Sequence, residues 1–453
     1  MYLIYSLLLT IGFLVLLPRF AIDALLTRKY VTGLHQRLGS IPNLAASDRR
    51  VIWLHCVSVG ETEAARPLVR ALRERFPSHR LVVSTTTVTG QKVARNAFAQ
   101  DATAIFYFPI DWAWTVRRVL RALNPSVVLI METELWPNLL RECRRRSIPV
   151  ALINGRISQK SYRRYQRIRR FMQQVLRDLP LAFMQSDDDA ARISALGLAK
   201  DRISIFGNVK FDSSVSTKLA LTQEIQRRFA LNPADPLVIA ASTHSPEESI
   251  ILDAFKTIKA SAPGQRARLL IAPRHPERFA EVAKLIADSG MSWTRRSELV
   301  TDQDETCNVI LFDSIGELRA VFPLADIAFI GGSIVSHGGQ NVLEPAAQGV
   351  CVITGAHTHN FAAITKALLA EDALIQLPEV SFANAAAELA SSIIQLLAND
   401  DRRQAVGARA LAVCDRNRGA TQRTVDEIAN LFDSQATTTE GVPLPAIHVT
   451  AAK

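Results

Sequence analysis

The sequence predicts an α/β protein built from two doubly wound domains, each with a parallel sheet covered by helices on both faces. Three observations lead to this prediction. Short apolar runs alternate with longer segments of helical periodicity, the runs are apolar throughout, and a polar segment interrupts the series near its middle. Continuously apolar strands that alternate with helices are typical of a parallel sheet buried on both faces.

The first half of the chain contains a series of predicted strands separated by helical segments. Helices are predicted from about 61 to 76, from about 89 to 99 and from about 136 to 146. We assign residues 28–211 to a first Rossmann-like domain. Its predicted strands are VIWLHC (51–56), LVVSTT (81–86), VVLIM (127–131), VALIN (150–154), LAFMQ (181–185) and ISIFG (203–207).

The series pauses and then resumes in the second half. The polar segment 212–236 contains two prolines and is interpreted as a linker, and residues 237–432 are assigned to a second Rossmann-like domain. Residues 433–453 lack periodicity and are predicted to be a disordered tail. The strands of the second domain are LVIAAS (237–242), ARLLIA (267–272), NVILF (308–312), DIAFI (326–330) and VCVIT (350–354). Two such domains facing each other across a cleft place the carboxyl ends of their strands, where open α/β sheets bind ligands, on opposite walls.

Residues 1–27 are predicted to form a membrane anchor. The segment is apolar and uncharged up to Arg19. It lacks the basic start and small-x-small site of a cleaved signal peptide, so a retained single-pass helix is favoured. Basic residues follow it, which by the positive-inside rule leaves the main body in the cytoplasm. The alternative is a monotopic helix lying on the same face of the membrane.

The charge is unevenly distributed. The chain has a formal net charge of +10, and residues 141–177 are strongly basic. Beside a membrane anchor this segment indicates contact with anionic lipid head groups or with a phosphorylated lipid substrate. Nucleic acid is not expected as a partner, because no nucleic-acid motif is present and aromatic residues are sparse. The basic residues selected as acceptor- or membrane-binding are Arg144, Arg145, Arg146, Arg156, Arg163 and Arg164.

Two carboxylate motifs follow predicted strands of the first domain. Glu61 falls at the start of a helix after Gly60, where the helix dipole favours its ionised form, and it is a candidate general base. The alternative is an ordinary glutamate at a helix N-terminus. Glu132 and Glu134 follow another strand, and their period-2 spacing puts both on one face if the strand continues.

The second domain offers polar side chains at its own strand ends. Ser242 and Thr243 could hold a phosphate with their hydroxyl and N–H groups. Arg274 suits bidentate recognition of a phosphate. The turn DSIGEL (313–318) adds Gly316 and Glu317. A metal site is not favoured, because the histidines are dispersed and no HExxH motif occurs. The five cysteines form no CxxC pair, which indicates a reducing compartment and no structural zinc.

The segment IGGSIVSHGGQNVLEPAAQG (330–349) is predicted to join a strand to a helix and to bind a ligand. Its spacing matches neither a P-loop nor the GxGxxG fingerprint. Glu344 would repel a phosphate but could accept hydrogen bonds from the vicinal hydroxyls of a ribose. The alternative is a tight turn with a capping Asn341 and a glutamate at a helix N-terminus. The candidate donor-binding residues here are Gly331, Gly332, Ser333, Gly338, Gly339, Asn341 and Glu344.

These motifs together resemble the 3-deoxy-D-manno-octulosonic acid (Kdo) transferases of lipopolysaccharide and lipid A synthesis, glycosyltransferase family 30. The resemblance runs in order from about residue 30 to 410. Each motif alone is weak, whereas the ordered set is specific. The motifs are HCVSVGE (55–61), ETELWPN (132–138), NGRIS (154–158), GNVKFD (207–212), ASTH (241–244), PRHPERF (273–279) and GGSIVSHGGQNVLEPAAQG (331–349).

The resemblance implies an inverting GT-B glycosyltransferase at the bacterial inner membrane that requires neither a cofactor nor a catalytic metal. It would move Kdo from CMP-Kdo to lipid IVA, the tetraacyl disaccharide bisphosphate precursor of lipid A. Glu61 would deprotonate the acceptor hydroxyl, and Glu134 would orient the acceptor or stabilise developing positive charge. Arg274 would neutralise the departing CMP phosphate. The glycine loop would wrap the nucleotide, with a helix N-terminus near Asn341 at the phosphate and Glu344 at the ribose.

Two alternatives remain open on the sequence. The first is another membrane-associated GT-B enzyme that uses a UDP-sugar, such as a lipid A disaccharide synthase or a UDP-GlcNAc epimerase. The second is a non-catalytic protein that binds anionic lipid through residues 141–177. Donor preference distinguishes the first, and the effect of Glu61→Gln on product formation distinguishes the second.

Overall fold

The computed structural model describes residues 1–27, 32–42, 44, 48–214, 219–232 and 234–438. The chain divides into two compact units. Unit 1 comprises Met1–Ser213 together with the chain from Arg418 onward, and unit 2 comprises Ser214–Asn417. Each unit contains one seven-stranded sheet whose paired strands are all parallel. The predicted fold class of two parallel-sheet α/β domains is therefore confirmed.

Unit 1 is built around a sheet with the strand order β3-β2-β1-β4-β5-β6-β7. These strands are β1 (Val51–His55), β2 (Arg80–Thr85), β3 (Ala104–Tyr107), β4 (Pro125–Met131), β5 (Val150–Gly155), β6 (Leu181–Met184) and β7 (Ile203–Ile205). Trp53 and Val128 pair in register and face one hydrophobic core, whereas Leu54 and Leu129 pair and face another. Because both faces are covered, successive side chains must all be apolar, which explains the continuous apolar runs.

The helices of unit 1 connect these strands. The predicted helix over 61–76 is divided at Ala65, because Pro67 begins a new helix in its first turn. The helices are α1 (Tyr2–Thr27), α2 (Leu34–Arg37), α3 (Val59–Ala64), α4 (Arg66–Arg75), α5 (Val88–Ala97), α6 (Ala113–Leu123), α7 (Pro137–Arg145), α8 (Gln159–Arg167), α9 (Arg169–Leu176) and α10 (Asp187–Leu196). Short 3-10 helices cover Lys200–Arg202 and Val209–Ser214.

The N-terminal helix α1 is attached to unit 1 through one side. The Tyr2 hydroxyl donates a hydrogen bond to Asp178, and the Arg141 guanidinium lies 4.6 Å from the centroid of the Tyr2 ring. The Trp112 indole donates to the Thr10 hydroxyl at 3.1 Å. Exposed apolar side chains of α1 are Leu3, Ile4, Leu7, Leu8, Ile11, Leu14 and Val15.

The predicted membrane-spanning anchor is not supported. In the part of the chain that the structure describes, no helix combines the length and the apolar character needed to cross a membrane.

Unit 2 has the strand order β10-β11-β9-β8-β12-β13-β14. Its strands are β8 (Leu237–Thr243), β9 (Arg268–Pro273), β10 (Trp293–Arg295), β11 (Val309–Leu311), β12 (Ile327–Ile330), β13 (Cys351–Thr354) and β14 (Ile375–Gln376). Its helices are α11 (Leu219–Arg228), α12 (Glu247–Ala260), α13 (Phe279–Asp288), α14 (Gln303–Thr306), α15 (Leu318–Val321), α16 (Leu343–Ala346), α17 (Ala362–Leu369), α18 (Phe382–Leu397) and α19 (Asp400–Asn417). Short 3-10 helices cover Pro276–Arg278, Phe322–Leu324 and His359–Phe361.

The predicted linker is partly helical. Residues 212–236 include α11, whose Ile225 is fully buried and whose Thr222 hydroxyl donates to the carbonyl of Ala320 at 2.8 Å. These contacts attach α11 to unit 2.

The chain returns to unit 1 in its last helix, α20 (Ala420–Thr438). The Phe432 ring packs edge-on against Phe76 of α4 with 5.2 Å between the ring centroids. The Asp212 carboxylate accepts the N–H groups of Gly419 and Thr421, both at 2.7 Å. The predicted second domain (237–432) and the predicted tail (433–453) therefore both include part of a helix that belongs to unit 1. Residues 439–453 lie outside the described residues.

Candidate active site

The strand order reverses at one point in each sheet. In unit 1 the reversal lies between β1 and β4, and in unit 2 it lies between β8 and β12. Open α/β sheets bind ligands outside the carboxyl ends of their strands at such a switch point. Some of the candidates lie at these switch points: Glu61 follows β1, Glu134 follows β4, Ser242 and Thr243 end β8, and the candidates from Gly331 to Glu344 follow β12. Others do not, since Arg274 follows β9, Gly316 and Glu317 follow β11, and Arg156 follows β5.

Glu61 is held in a buried N-terminal turn of α3 next to the end of β1. Its residue is 7% exposed. The Val57 N–H donates to Glu61 Oε2 at 2.8 Å, and the Ser58 hydroxyl donates to Oε1 at 3.0 Å. Ser58 is also the N-cap of α3, and its Oγ accepts the N–H of Glu61 at 3.4 Å. This reciprocal arrangement resembles a capping box and fixes the direction of the carboxylate.

The environment of Glu61 raises its pKa to about 7. Burial is the largest cause, and the nearby charge of Glu132 raises the pKa further. The hydrogen bonds from Val57 and Ser58 oppose this shift, and Glu134 adds a smaller increase. A carboxylate with a pKa near neutrality is both partly ionised and sufficiently basic, which are the properties required of a general base.

Glu132 and Glu134 do not continue the strand. β4 ends at Met131, and Glu132 has a φ of 55°, in the left-handed region. The condition for placing both glutamates on one strand face is therefore not met, because the chain leaves the extended conformation at Glu132. Lys210 Nζ lies 3.7 Å from Glu132 Oε1. Burial and the charge of Glu132 raise the pKa of Glu134.

The six selected arginines lie in three separate places in unit 1. Arg144, Arg145 and Arg146 are at the C-terminal end of α7, Arg163 and Arg164 are exposed on α8, and Arg156 follows β5. Arg144 forms an ion pair with Asp178 at 2.6 Å, the residue that also accepts the Tyr2 hydroxyl. The α7 arginines therefore lie beside the attachment of α1.

In unit 2, Ser242 and Thr243 lie at the end of β8. Ser242 has a left-handed φ of 55°. Thr243 is fully buried and its hydroxyl donates to Glu248 Oε1 at 2.7 Å, so this hydroxyl has an internal role. The N–H of Arg274 donates to the Thr243 carbonyl at 3.0 Å, whereas the Arg274 residue is exposed. Arg274 is thus fixed through its backbone with its guanidinium accessible.

The glycine loop, residues 331–339, follows β12 and is bound by a buried glutamate of α12. A Cβ at Gly331 would lie 2.6 Å from the Thr243 Cα, so only glycine allows this approach of the two strand ends. Glu247 Oε2 accepts the N–H groups of His244 at 3.0 Å and Gly332 at 2.6 Å. Glu247 Oε1 accepts the N–H groups of Ser333 and Ile334, both at 3.0 Å.

Within the same loop, Ser333 is fully buried. Its hydroxyl donates to the Ile330 carbonyl and accepts the Gly355 N–H at 2.8 Å. These two hydrogen bonds stabilise the conformation of the loop. Gly338 and Gly339 have φ values of 90° and 75°. The φ of Gly338 disfavours any other residue, and a Cβ there, 2.5 Å from His359 Nε2, would also require the His359 side chain to shift.

Asn341 and Glu344 lie together beyond the loop. The Asn341 side-chain amide donates to Glu344 Oε1 at 3.2 Å, and its Oδ1 accepts the Leu343 N–H at 3.1 Å. Arg319 donates to the same Glu344 oxygen from Nε at 2.9 Å and from Nη2 at 2.8 Å. All three side-chain contacts fall on Oε1, so Oε2 takes part in none of them.

The helix predicted to begin near Asn341 is only one turn long. α16 begins at Leu343 and ends at Ala346. Gly349 has a φ of 74° and the Val350 N–H donates to Pro345, which turns the chain into β13. One turn provides little of the dipole on which the predicted phosphate contact depends.

The turn with Gly316 and Glu317 is also held by ion pairs within unit 2. Gly316 is exposed with a φ of 81°. Glu317 Oε2 lies 3.0 Å from Arg296 Nε, and Arg296 also pairs with Glu224 at 2.8 Å. Glu317 therefore lies in an ion-pair network that joins this turn to α11.

Three histidine rings of unit 2, one of them from the glycine loop, lie close together. The His244 ring lies 4.6 Å from His337 and 5.2 Å from His275 between ring centroids. Burial, followed by the charges of His337 and His275, lowers the pKa of His244 to about 4. It is therefore neutral near pH 7, and its Nε2 lies 3.0 Å from the Gln340 amide. Among the described residues, no group of three or more His, Cys, Asp or Glu could hold a metal ion.

Three residues of these sites were not predicted from the sequence. Lys210 lies in the motif GNVKFD, where its position after a strand was a usable signal. Arg319 precedes Glu344 in the chain without a motif, and its pairing depends on the fold. Glu247 belongs to the motif AASTHSPEE (240–248), but a glutamate in the first turn of a helix is ordinarily explained by the helix dipole.

The chain is similar in sequence to known proteins. Residues 32–213 match the family model described as 3-deoxy-D-manno-octulosonic-acid transferase (kdotransferase). The chain is 36% identical over 399 residues to a 3-deoxy-D-manno-octulosonic acid transferase of Haemophilus influenzae, covering 88% of this chain and 91% of that protein.

Solved structures share the fold at low identity. The structure of UDP-GlcNAc 2-epimerase from Neisseria meningitidis matches with a TM-score of 0.54 at 12% identity, covering 84% of this chain and 100% of that chain. A glycosyltransferase from Rickettsia africae matches with a TM-score of 0.51 at 12% identity, covering 85% of this chain and 99% of that chain. These likenesses support the GT-B-like fold alone. The extended identity to a Kdo transferase goes further, and it shows that the chain belongs to the 3-deoxy-D-manno-octulosonic acid transferase family of glycosyltransferases.

Proposed function

We propose that this enzyme transfers Kdo from CMP-Kdo to the tetraacyl disaccharide bisphosphate precursor of lipid A with inversion, and that Glu61 is the general base. The observation that carries the proposal is the environment of Glu61. A buried carboxylate at the switch point of unit 1, oriented by Val57 and Ser58 and with its pKa raised to about 7, suits proton abstraction from a hydroxyl.

The proposed step exchanges one bond for another. The acceptor hydroxyl oxygen forms a bond to the anomeric carbon of Kdo, and the bond from that carbon to the CMP phosphate oxygen breaks. CMP leaves with the electron pair of that bond, and the hydroxyl proton passes to Glu61. Glu134, whose raised pKa reflects a partly buried position near Glu132, orients the acceptor or stabilises positive charge at the anomeric carbon.

Unit 2 is proposed to bind the nucleotide. Arg274 presents an exposed guanidinium beside the end of β8, where it neutralises the phosphate as CMP departs. Glu344 is proposed to bind the ribose through Oε2, because its three side-chain contacts fall on Oε1. Gly316 is proposed to let the adjoining turn approach the nucleotide, since its exposed backbone carries no side chain.

The proposal is tested by mass spectrometry of the lipid after incubation with the tetraacyl precursor and CMP-Kdo. We expect the wild-type product to gain whole Kdo units and Glu61→Gln to lose at least about 10²-fold in rate. Glu63→Gln is the matched control, because Glu63 lies on the same helix, is about half exposed and pairs with Arg66. Transfer from a UDP-sugar in preference to CMP-Kdo would refute the donor, and a fully active Glu61→Gln would refute the base.

We also propose that α1 lies on an anionic membrane surface as a monotopic helix. The helix has exposed apolar side chains, and its buried Tyr2 contacts Arg141 of α7, so apolar and basic groups occur together there, a combination that suits the interface of anionic lipids. Leu7→Glu should weaken binding to vesicles that contain anionic phospholipid. Leu299→Glu, at a residue of unit 2 that is 89% exposed, should not. Equal binding by the two variants would refute this placement.

A further inference from the structure

Unit 2 contains a carboxylate that is completely buried and yet makes no ion pair among its hydrogen-bond contacts. Glu247 is 0% exposed at the start of α12. Its two oxygens accept four short backbone N–H bonds, from His244 after β8 and from Gly332, Ser333 and Ile334 after β12. It therefore joins the two strand ends that flank the switch point.

We infer that Glu247 is the positioning residue of the donor site: its carboxylate fills the anion-binding concavity of the glycine loop and holds residues 331–339 in the shape that receives the nucleotide. The inference rests on the proposed role of unit 2 in donor binding. Glu247 itself touches neither donor nor acceptor in this assignment.

The geometry supports this role because consecutive N–H groups that converge on one point form an anion-binding nest. In many proteins such a nest receives a ligand phosphate. Here the N–H groups of Gly332, Ser333 and Ile334 converge on a carboxylate of the protein itself. These three N–H groups are therefore not the ones that bind the CMP phosphate, which is left to side chains such as Arg274.

The shape that Glu247 fixes extends along the loop. Gly332 has a left-handed φ of 67°, and its carbonyl accepts the Gly339 N–H at 2.8 Å. Gly339 lies against the His357 carbonyl, 3.1 Å from where a Cβ would be. The same carboxylate holds the backbone of His244, whose ring contacts His337. Loss of Oε2 as an acceptor would release His244 and Gly332, and loss of Oε1 would release Ser333 and Ile334.

The decisive variant is Glu247→Gln, which keeps the shape of the side chain. Each carboxylate oxygen accepts at least two N–H groups, so an amide in either orientation directs an NH₂ group at two backbone donors. We expect the KM for CMP-Kdo to rise at least about tenfold while the KM for the lipid acceptor stays within about twofold.

The matched control is Asp304→Asn. Asp304 is also a fully buried carboxylate of unit 2, and it accepts hydrogen bonds from Arg228 at 2.9 Å and from Thr294, not from the glycine loop. We expect it to lower the melting temperature without changing the donor KM. A donor KM for Glu247→Gln within about twofold of wild type would overturn the inference.

A second measurement uses the wild-type protein, so that it does not depend on the folding of a variant. Amide hydrogen exchange should show residues 332–334 already protected without ligand, with little further protection on adding CMP. Rapid exchange without ligand, or strong protection that appears only with CMP, would overturn the inference. If wild type fails to use CMP-Kdo, the proposed function fails, whereas the exchange pattern of the free protein still tests the role of Glu247.

Discussion

Replacing Glu61 with glutamine should have two effects: a lower rate of transfer, and a free energy of unfolding that no longer falls with pH through this residue. The pKa of Glu61 is about 7 in the folded protein and 4.5 is its reference value for an unperturbed carboxyl. Because the folded pKa is the higher one, the folded protein holds a proton between these pH values that the unfolded chain has lost. The contribution to the free energy of unfolding is therefore present below about pH 4.5 and is lost as the pH rises toward 7.

The size of this loss follows from the difference between the two pKa values. Each pKa unit corresponds to about 1.4 kcal/mol, so wild type should lose about 3 kcal/mol between mildly acidic and neutral pH through this one group. Glutamine cannot ionise, so Glu61→Gln should not show that loss. The same variant should lose about 10²- to 10⁴-fold in turnover, because no base remains for the acceptor hydroxyl.

The assay is urea unfolding of wild type, Glu61→Gln and Glu63→Gln at about pH 5 and about pH 8, paired with initial rates across the same range. We expect wild-type kcat/KM to rise with pH through about 7, following ionisation of Glu61. Glu63→Gln should behave as wild type in both measurements. An unfolding free energy that falls equally with pH in wild type and Glu61→Gln would refute the assignment of the raised pKa.

Three further predictions concern other contacts. Lys210→Met removes the positive charge that lies 3.7 Å from Glu132. The negative charge of Glu132 should then raise the pKa of Glu61 further, so the pH–rate profile should move to higher pH, and a shift to lower pH would contradict this. Arg319→Ala should raise the donor KM about fivefold with the acceptor KM unchanged, because Glu344 loses the partner that orients it. Phe432→Ala should cost about 3 kcal/mol or more of unfolding free energy by urea titration, with activity per folded molecule retained.

The central strands were predictable because both of their faces are buried. Trp53 and Leu54 face opposite cores, so residues 51–54 of β1 are apolar without interruption. The strands that were missed, β3, β10 and β14, all lie at sheet edges. An edge strand pairs on one side only and can be as short as Ile375–Gln376, which leaves too few residues for a periodic signal.

Residues of the candidate site could be predicted only where a single segment of the sequence contains the whole pattern. A glutamate directly after a strand indicated Glu61, and the glycine-rich segment indicated its own loop. The contact of Glu247 with Gly332 could not be read in this way, because β8 and β12 are neighbours in the sheet but distant in the chain. The shortness of α16 could not be foreseen either, since the turn at Gly349 ends the helix despite the helical tendency of the alanines.

The return of the chain to unit 1 imposes an order on folding. Residues Ser214–Asn417 are continuous, so unit 2 has all of its strands as soon as that stretch has been synthesised. Unit 1 has all of its strands still earlier, but its last helix, α20, is made after the whole of unit 2. Phe76, at the end of α4, therefore remains uncovered until Phe432 has been synthesised. Contacts of such long sequence separation form late and leave apolar surface exposed meanwhile. Unit 1 is thus the part of a nascent chain most in need of a chaperone.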